Sequence, residues 1–332
     1  MERHESLQRW LQAEFPGRDI SIAPASADAS FRRYFRVQPS GASRTYIVMD
    51  APPAHEDCRP FVHVAILLRA AGLNAPEVLA QDLEQGFLLL TDLGTRTYLD
   101  VLDADNADGL FRDAVEALLK WQLASRPGEL PPYDEALLRR EASLFPEWYV
   151  ARHLEVNLTA AQQQALDDTV TTVLRSNLAQ PTVFVHRDYM PRNLMLGEPN
   201  PGVLDFQDAV IGPISYDLAS LFRDAFISWD EERVLDWVIR YWEQAKRAGL
   251  PVDADFSAFY RDFEWMGLQR HLKVLGIFAR LNYRDGKAAY LADTPRFVAY
   301  VRSVAGRYRE LTPLLRLFDD LEKRTPQVGY TF

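Results

Sequence analysis

The chain has a single cysteine, Cys58, among 332 residues. One thiol allows no intramolecular disulfide, and zinc sites built from several cysteines are excluded. Positive charge is also in short supply. Lys and Arg number 37 against 47 Asp and Glu, a net charge of −10. A protein that grips nucleic-acid phosphates needs a basic surface, so no nucleic-acid partner is expected. No run approaches the ~18 apolar residues of a membrane span. The first ten residues, Met1 to Trp10, have no apolar stretch of the kind that opens a secretory signal. The expectation is a cytoplasmic protein with no membrane partner. Internal repeats and low-complexity segments are missing too.

What is present is ordinary for a globular chain: 48% hydrophobic and 25% charged residues. At roughly 150 residues per domain, the length predicts about two domains. It is ample for a core that needs no disulfide or metal to hold it. The spacing of Leu7, Trp10, Leu11 and Phe15 predicts a first helix, ended by Pro16-Gly17. Phe31–Val37 and Arg44–Met49 read as paired strands across the turn Pro39-Ser40-Gly41. A helix is expected from about Glu56 to Ala71, then strands near Val78–Ala80 and Phe87–Leu90. After Gly94 the pattern turns to long amphipathic helices, with a break expected near Asn157. The expected division is 1–92, a sheet with one helix, and 93–332, mostly helical, joined by a short hinge.

One block carries chemistry. It runs His186-Arg187-Asp188-Tyr189-Met190-Pro191-Arg192-Asn193, then Val203-Leu204-Asp205-Phe206-Gln207-Asp208. Asp188 and Asn193 stand five apart on one loop, and Asp205 follows twelve residues later behind a short apolar run. Asp and Asn offer hard oxygens that suit Mg²⁺ shared with triphosphate oxygens. An aspartate beside an attacking hydroxyl can orient it and take its proton.

The block resembles the protein-kinase pattern H-R-D-L-x-x-x-N followed by D-F-G, with Gln207 in place of the glycine. Downstream, Gly212-Pro213-Ile214-Ser215-Tyr216-Asp217-Leu218-Ala219 is similar to an element of the aminoglycoside phosphotransferase superfamily, and no A-P-E segment follows Asp205. The resemblance implies a protein-kinase-like bilobal α+β fold, with a small antiparallel-sheet N-lobe and a larger, mostly helical C-lobe. It implies ATP and Mg²⁺ as cofactors, Asp188 as catalytic base, and Asn193 and Asp205 as metal ligands. It further implies that His186 and Asp217 brace the catalytic loop. An ordinary buried turn would use Asp and Asn as well, but five matched positions in one ordered run argue for the functional reading.

The nucleotide side has a fainter signature. Ser26–Phe31, including Ser30 and Phe31, lies where a phosphate-cradling loop is expected, with small residues in place of glycine. Thr91, Asp92 and Leu93 fall where a hinge binds adenine through backbone groups. The usual third-strand lysine is missing from Tyr46–Asp50. Arg32, Arg33, Arg36 and Arg44 are the nearest cations, each equally readable as a solvated strand residue. Arg33 is carried forward as a phosphate ligand.

Met49–Pro53, Glu56–Phe61, Gln85–Gly94 and Gly267–Leu281, with the catalytic block, are similar to the bacterial anomeric N-acetylmuramate/N-acetylglucosamine kinases. That likeness covers most of the chain, the missing lysine included. It implies ATP-dependent phosphorylation of the C1 hydroxyl of an amino sugar in peptidoglycan recycling, with the sugar 1-phosphate passed to a uridylyltransferase. N-acetylmuramate carries a carboxylate, for which an arginine fork is the best receptor. Arg152, Arg192, Arg270, His271 and Lys273 are candidates, with Trp148, Tyr149 and Trp265 as sugar platforms and Asp208 as a further contact. Leu268, Leu272, Leu275 and Phe278 are spaced as a core stripe, which makes packing the competing role for their helix. Two alternatives remain. One is a kinase of another small alcohol or an aminoglycoside, against which the cations Arg270, His271 and Lys273 argue. The other is a non-catalytic nucleotide-binding regulator.

Overall fold

The computed structural model describes residues 2–26 and 31–324. In chain order the first stretch folds as α1 (Glu2–Glu14), β1 (Ile20–Ser26), β2 (Arg33–Pro39), β3 (Tyr46–Asp50), α2 (Arg59–Ala70), β4 (Val78–Asp82), β5 (Phe87–Thr91) and α3 (Ala107–Leu123). Next come α4 (Glu135–Leu144), a π-helical segment (Phe145–His153), α5 (Ala160–Ala179) and β6 (Thr182–Val185). The short strands β7 (Leu194–Met195), β8 (Gly202–Val203) and β9 (Val210–Pro213) follow, then α6 (Tyr216–Phe222), α7 (Glu231–Ala248), α8 (Phe256–Tyr283), α9 (Thr294–Ala305) and α10 (Thr312–Arg324). Among the described residues no helix is long and apolar enough to cross a membrane.

The fold is α+β and separates into two compact units, residues 1–124 with 191–209, and residues 125–190 with 210–332. This division does not coincide with the expected 1–92 and 93–332. The reason is backbone pairing. Tyr98 N donates to Leu194 O at 2.7 Å, Leu196 N to Arg96 O at 3.0 Å and Val203 N to Asn74 O at 2.7 Å. These bonds tie the β7–β8 hairpin to the chain after Gly94 and to the segment between α2 and β4.

The first unit is built on an antiparallel sheet in the order β1-β2-β3-β5-β4. Side chains alternate across it. Val37, Val48, Phe87 and Leu89 face Leu7 and Leu11 of α1 and form one apolar cluster. Tyr34, Arg36, Ile47 and Leu90 line the other side. The helix α2 starts three residues later than expected. Pro60 suits the first turn, and Asp57 Oδ1 accepts the Arg59 N–H at 2.9 Å.

The second unit is organised around α8. It packs against the π-helical segment, α4, α5, α6 and α9. Every residue from Phe263 to Gly276 is buried. The expected stripe of Leu268, Leu272, Leu275 and Phe278 lies in its core, but the burial extends all round the helix. The expected break near Asn157 is real: α5 restarts at a capping box between Thr159 and Gln162. Gly276 lets α8 approach the backbone of Leu144 so closely that an added Cβ would overlap it. Gly276→Ala is expected to lower the unfolding free energy by about 1–3 kcal/mol through overpacking. Urea denaturation checks this, and an unchanged midpoint would show that α8 and the end of α4 move apart freely.

Candidate active site

Strand β6 pairs with β9 in the register Val185–Val210 and delivers His186 at its end. Asp217, in the first turn of α6, is fully buried. Its two carboxylate oxygens accept the backbone N–H groups of His186 at 2.7 Å and of Arg187 at 3.0 Å. Burial pushes the Asp217 carboxyl up to about 7 despite those two donors. The backbone N–H of Asp188 points to His186 Nδ1 at 3.3 Å. Arg187 has φ +75°, a left-handed conformation rare outside glycine. The loop therefore holds a strained residue just before Asp188, and the bonds to Asp217 keep it there.

A second constraint comes from charge. Glu141 on α4 is buried and accepts from three sides. Arg187 Nη2 donates to it at 2.5 Å, Lys273 Nζ lies at 3.2 Å, and the Tyr133 hydroxyl donates to its other oxygen. Lys273 also donates to the Tyr216 hydroxyl at 3.1 Å. Burial pushes the Glu141 carboxyl up, but Lys273 and Arg187 more than offset it and hold it below the usual range. Asp188 follows the same logic. Burial would raise it, yet the charges of Lys273, Arg270, Arg187 and His186 hold it below the ordinary carboxylate value. Asp188 is ionised at neutral pH, the state a general base requires.

The sheet unit contains a cavity of about 290 Å³. Thr91, Asp92 and Leu93 line it together with Arg192, Asn193 and Asp205. The two-residue period of β2 decides which arginine takes part. Arg36 lines this cavity, whereas Arg33 is half exposed and pairs with Asp50. Arg36 donates to both oxygens of Asp92, at 2.5 and 3.1 Å, and to Gly94 O at 2.7 Å. Thr45 Oγ1 and Gly94 N complete the shell of Asp92 at 2.6 and 2.9 Å. Burial raises the Asp92 carboxyl, and these donors together bring it below its usual value. The Asp92 side chain is thus spent on the protein, which leaves backbone groups for a ligand.

Asn193 Nδ2 lies 3.4 Å from Asp205 Oδ2, and Gln207 Nε2 donates to Asp205 Oδ1 at 3.0 Å. Asp205 is also held at positive φ, +61°. Asn193 and Asp205 line one cavity wall, and their side-chain oxygens are hard donors of the kind that would hold Mg²⁺. Among the described residues no three His, Cys, Asp or Glu side chains gather to hold a metal on their own.

The other candidates scatter. Ser30 lies outside the described residues. Phe31 is 62% exposed and stacks on His55 with ring centroids 4.5 Å apart. Asp208 is exposed, 3.5 Å from Gln207 Nε2. Trp148 packs against the core of the helical unit. His271 is fully buried and stacks on Tyr300 at 4.9 Å; burial, with Arg223 and Arg270, keeps it neutral. Its place in an aromatic core fits packing. Arg270 differs: it is 2% exposed, its Nη1 has no hydrogen-bond partner, and its Nη2 meets only Met190 Sδ at 4.0 Å. Sequence reading missed Glu141 and Tyr133 as site residues, and carried forward Arg33 where the cavity has Arg36, one of the four cations it had named. The available signals were a carboxylate on the apolar face of α4 and the strand period of β2.

Residues 21–252 match the phosphotransferase enzyme family, and the chain belongs to it. Three relatives named N-acetylmuramate/N-acetylglucosamine kinase are similar over nearly all of the chain. The Pseudomonas putida protein is 58% identical, covering 91% of this chain and 88% of its own. The Pseudomonas aeruginosa protein is 53% identical, covering 96% and 97%. The Neisseria meningitidis protein is 51% identical, covering 100% of both. Among solved structures, a choline/ethanolamine kinase family protein from Mesorhizobium loti has a TM-score of 0.63 at 14% identity, covering 95% of this chain and 99% of its own. The ADP-bound aminoglycoside phosphotransferase APH(2'')-Ib has a TM-score of 0.57 at 13% identity, covering 94% and 98%. These likenesses give the kinase-like fold, and the chain is a small-molecule kinase.

Glu141→Ala is expected to strand Arg187 and Lys273 without their shared anion. Removing one partner of a buried pair typically costs about 3–5 kcal/mol. Urea denaturation measures it, and a loss below about 1 kcal/mol would mean that the two cations find other partners.

Proposed function

We propose that this kinase transfers the γ-phosphoryl group of ATP to the anomeric C1 hydroxyl of N-acetylmuramate and N-acetylglucosamine. The products are sugar 1-phosphates, made in the cytoplasm for peptidoglycan recycling and handed to a uridylyltransferase. The sugar is inferred from the names of the relatives. The phosphotransfer chemistry is carried by one observation, a partly buried aspartate on a loop braced by Asp217 just past the end of a strand, with cations around it that hold its carboxyl below the usual range.

In this reading Asp188 holds the C1 hydroxyl and accepts its proton as the oxygen attacks phosphorus. His186 and Asp217 fix the loop that carries it. Asn193 and Asp205 would hold Mg²⁺, which supplies charge neutralisation on the phosphate oxygens. Thr91, Asp92 and Leu93 receive adenine through their backbone, and Arg36 replaces the absent lysine as the cation of the nucleotide cavity. Arg270 takes the lactyl carboxylate of N-acetylmuramate. A buried guanidinium with an open Nη1 is a receptor for such a group.

Purified protein incubated with ATP, Mg²⁺ and a panel of sugars, aminoglycosides and choline, with products identified by NMR, tests the reading. Asp188→Asn should lower kcat at least ~10²-fold, the scale of general-base catalysis, with ATP binding retained; near-normal turnover would remove Asp188 from the mechanism. The methyl glycoside of N-acetylglucosamine lacks the nucleophile and should not react, although it competes for the pocket. Phosphate on that glycoside would move the chemistry to another hydroxyl. Arg270→Ala should weaken use of N-acetylmuramate by about 1.5–3 kcal/mol, the range for a charged hydrogen bond. N-acetylglucosamine should be largely spared, and equal losses on both sugars would return Arg270 to a structural role.

A further inference from the structure

Asp224 lies in the connection from α6 to α7 and is fully buried. One of its oxygens does structural work: Oδ1 accepts the N–H groups of Phe226 at 3.0 Å and of Ile227 at 3.3 Å. This is an Asx-type turn, for which one side-chain oxygen suffices. The other oxygen, Oδ2, has no hydrogen-bond partner. A buried carboxylate oxygen left unpaired is costly, and asparagine or serine would build the same turn without a charge. The fold by itself gives no reason for the second oxygen.

The surroundings are equally unfinished. Arg270 on α8 acts electrostatically on Asp224, and its own Nη1 is unpartnered. The same guanidinium acts on Asp188 and Asp217, so the base, the brace and Asp224 share one charged neighbourhood. Tyr300 on α9 feels the charge of Asp224, and its hydroxyl lies 3.0 Å from Ser228 Oγ. Arg296 Nη1 donates to that same Ser228 Oγ at 2.6 Å, while its Nε is buried and open. Arg223, next in the chain, is engaged by Glu264 at 3.1 Å. The result is a buried acceptor oxygen, a buried guanidinium with an open Nη1, and the partly exposed Arg296 with an open Nε, all in the unit that carries Asp188.

We propose that Asp224 is a sugar-binding residue whose Oδ2 accepts a hydrogen bond from a neutral donor of the amino sugar, a ring hydroxyl or the acetamido N–H. Arg270 meets the acidic substituent, and Asp224 meets a group that both amino sugars share. Asp224 therefore sets recognition of the sugar ring, and Arg270 sets discrimination between the two sugars. This rests on the amino-sugar reading above.

Asp224→Asn is the decisive variant. The amide oxygen keeps the turn to Phe226 and Ile227, while Nδ2, a donor, replaces the acceptor oxygen. The KM for N-acetylglucosamine and for N-acetylmuramate should both rise at least tenfold, with the KM for ATP unchanged within twofold. A folded Asp224→Asn enzyme with unchanged sugar KM overturns the assignment. Should that variant fail to fold, a crystal structure of the wild-type protein with N-acetylglucosamine decides. A sugar donor within about 3.2 Å of Asp224 Oδ2 supports the proposal, and a water on that oxygen with the sugar bound elsewhere overturns it. A wild-type protein that phosphorylates neither sugar overturns the substrate reading and this assignment together. A wild-type protein active on both, with an indifferent Asp224→Asn variant, overturns this assignment alone.

Discussion

Glu141 is the anion on which the loop carrying Asp188 depends. Its carboxylate is shared by Arg187, Lys273 and Tyr133 in the interior of the helical unit. Ion pairs at the surface contribute little, because water and salt screen them. Here the charges are out of water, so a missing partner leaves a bare charge in a low dielectric. The geometry of Arg187 follows from this constraint. Its backbone is in an unfavourable left-handed state, held from one side by the Asp217 carboxylate and from the other by Glu141. Asp188 comes next in the chain and inherits its position from both.

The same cations also govern ionisation. Desolvation at the partly buried Asp188 favours the protonated form. Lys273, Arg270 and Arg187 together prevent this. Asp217, which has two backbone donors and also faces the negative charge of Asp188, is pushed the other way. Two aspartates in one small region thus have opposite tendencies, one suited to accept a proton and one to hold a loop. Their roles are set by neighbours drawn from α4, α6 and α8, far apart in the chain.

In the sheet unit the equivalent constraint is the Arg36–Asp92 pair. It joins β2 to the end of β5 and shapes one wall of the cavity. Where kinases commonly carry a lysine on the third strand, this cavity has Ile47, and the cation comes from the neighbouring strand. The guanidinium uses Nε and Nη2 on Asp92 and Gly94, so its position is fixed without a helix partner. A planar fork makes that possible, and a lysine ammonium would not.

The sequence by itself determined the class and the chemistry. Strand alternation, helical spacing, and the order His186, Asp188, Asn193, Asp205, Asp217 are readable along the chain itself. The stripe of Leu268, Leu272, Leu275 and Phe278 was legible for the same reason. Tertiary structure alone decided three other things. It decided that the middle of α8, Phe263 to Gly276, is enclosed on every side, which turned Lys273 into a buried partner of Glu141 and His271 into a stacked core residue. It decided which strand arginine faces the cavity, since a period of two separates Arg33 from Arg36 only once the sheet has chosen its inner face. It decided that Asp224 keeps an open buried oxygen, because whether a carboxylate is satisfied depends on groups that sequence spacing cannot bring together. A pattern shows which residues are near in the chain, whereas pairing, burial and charge depend on which are near in space.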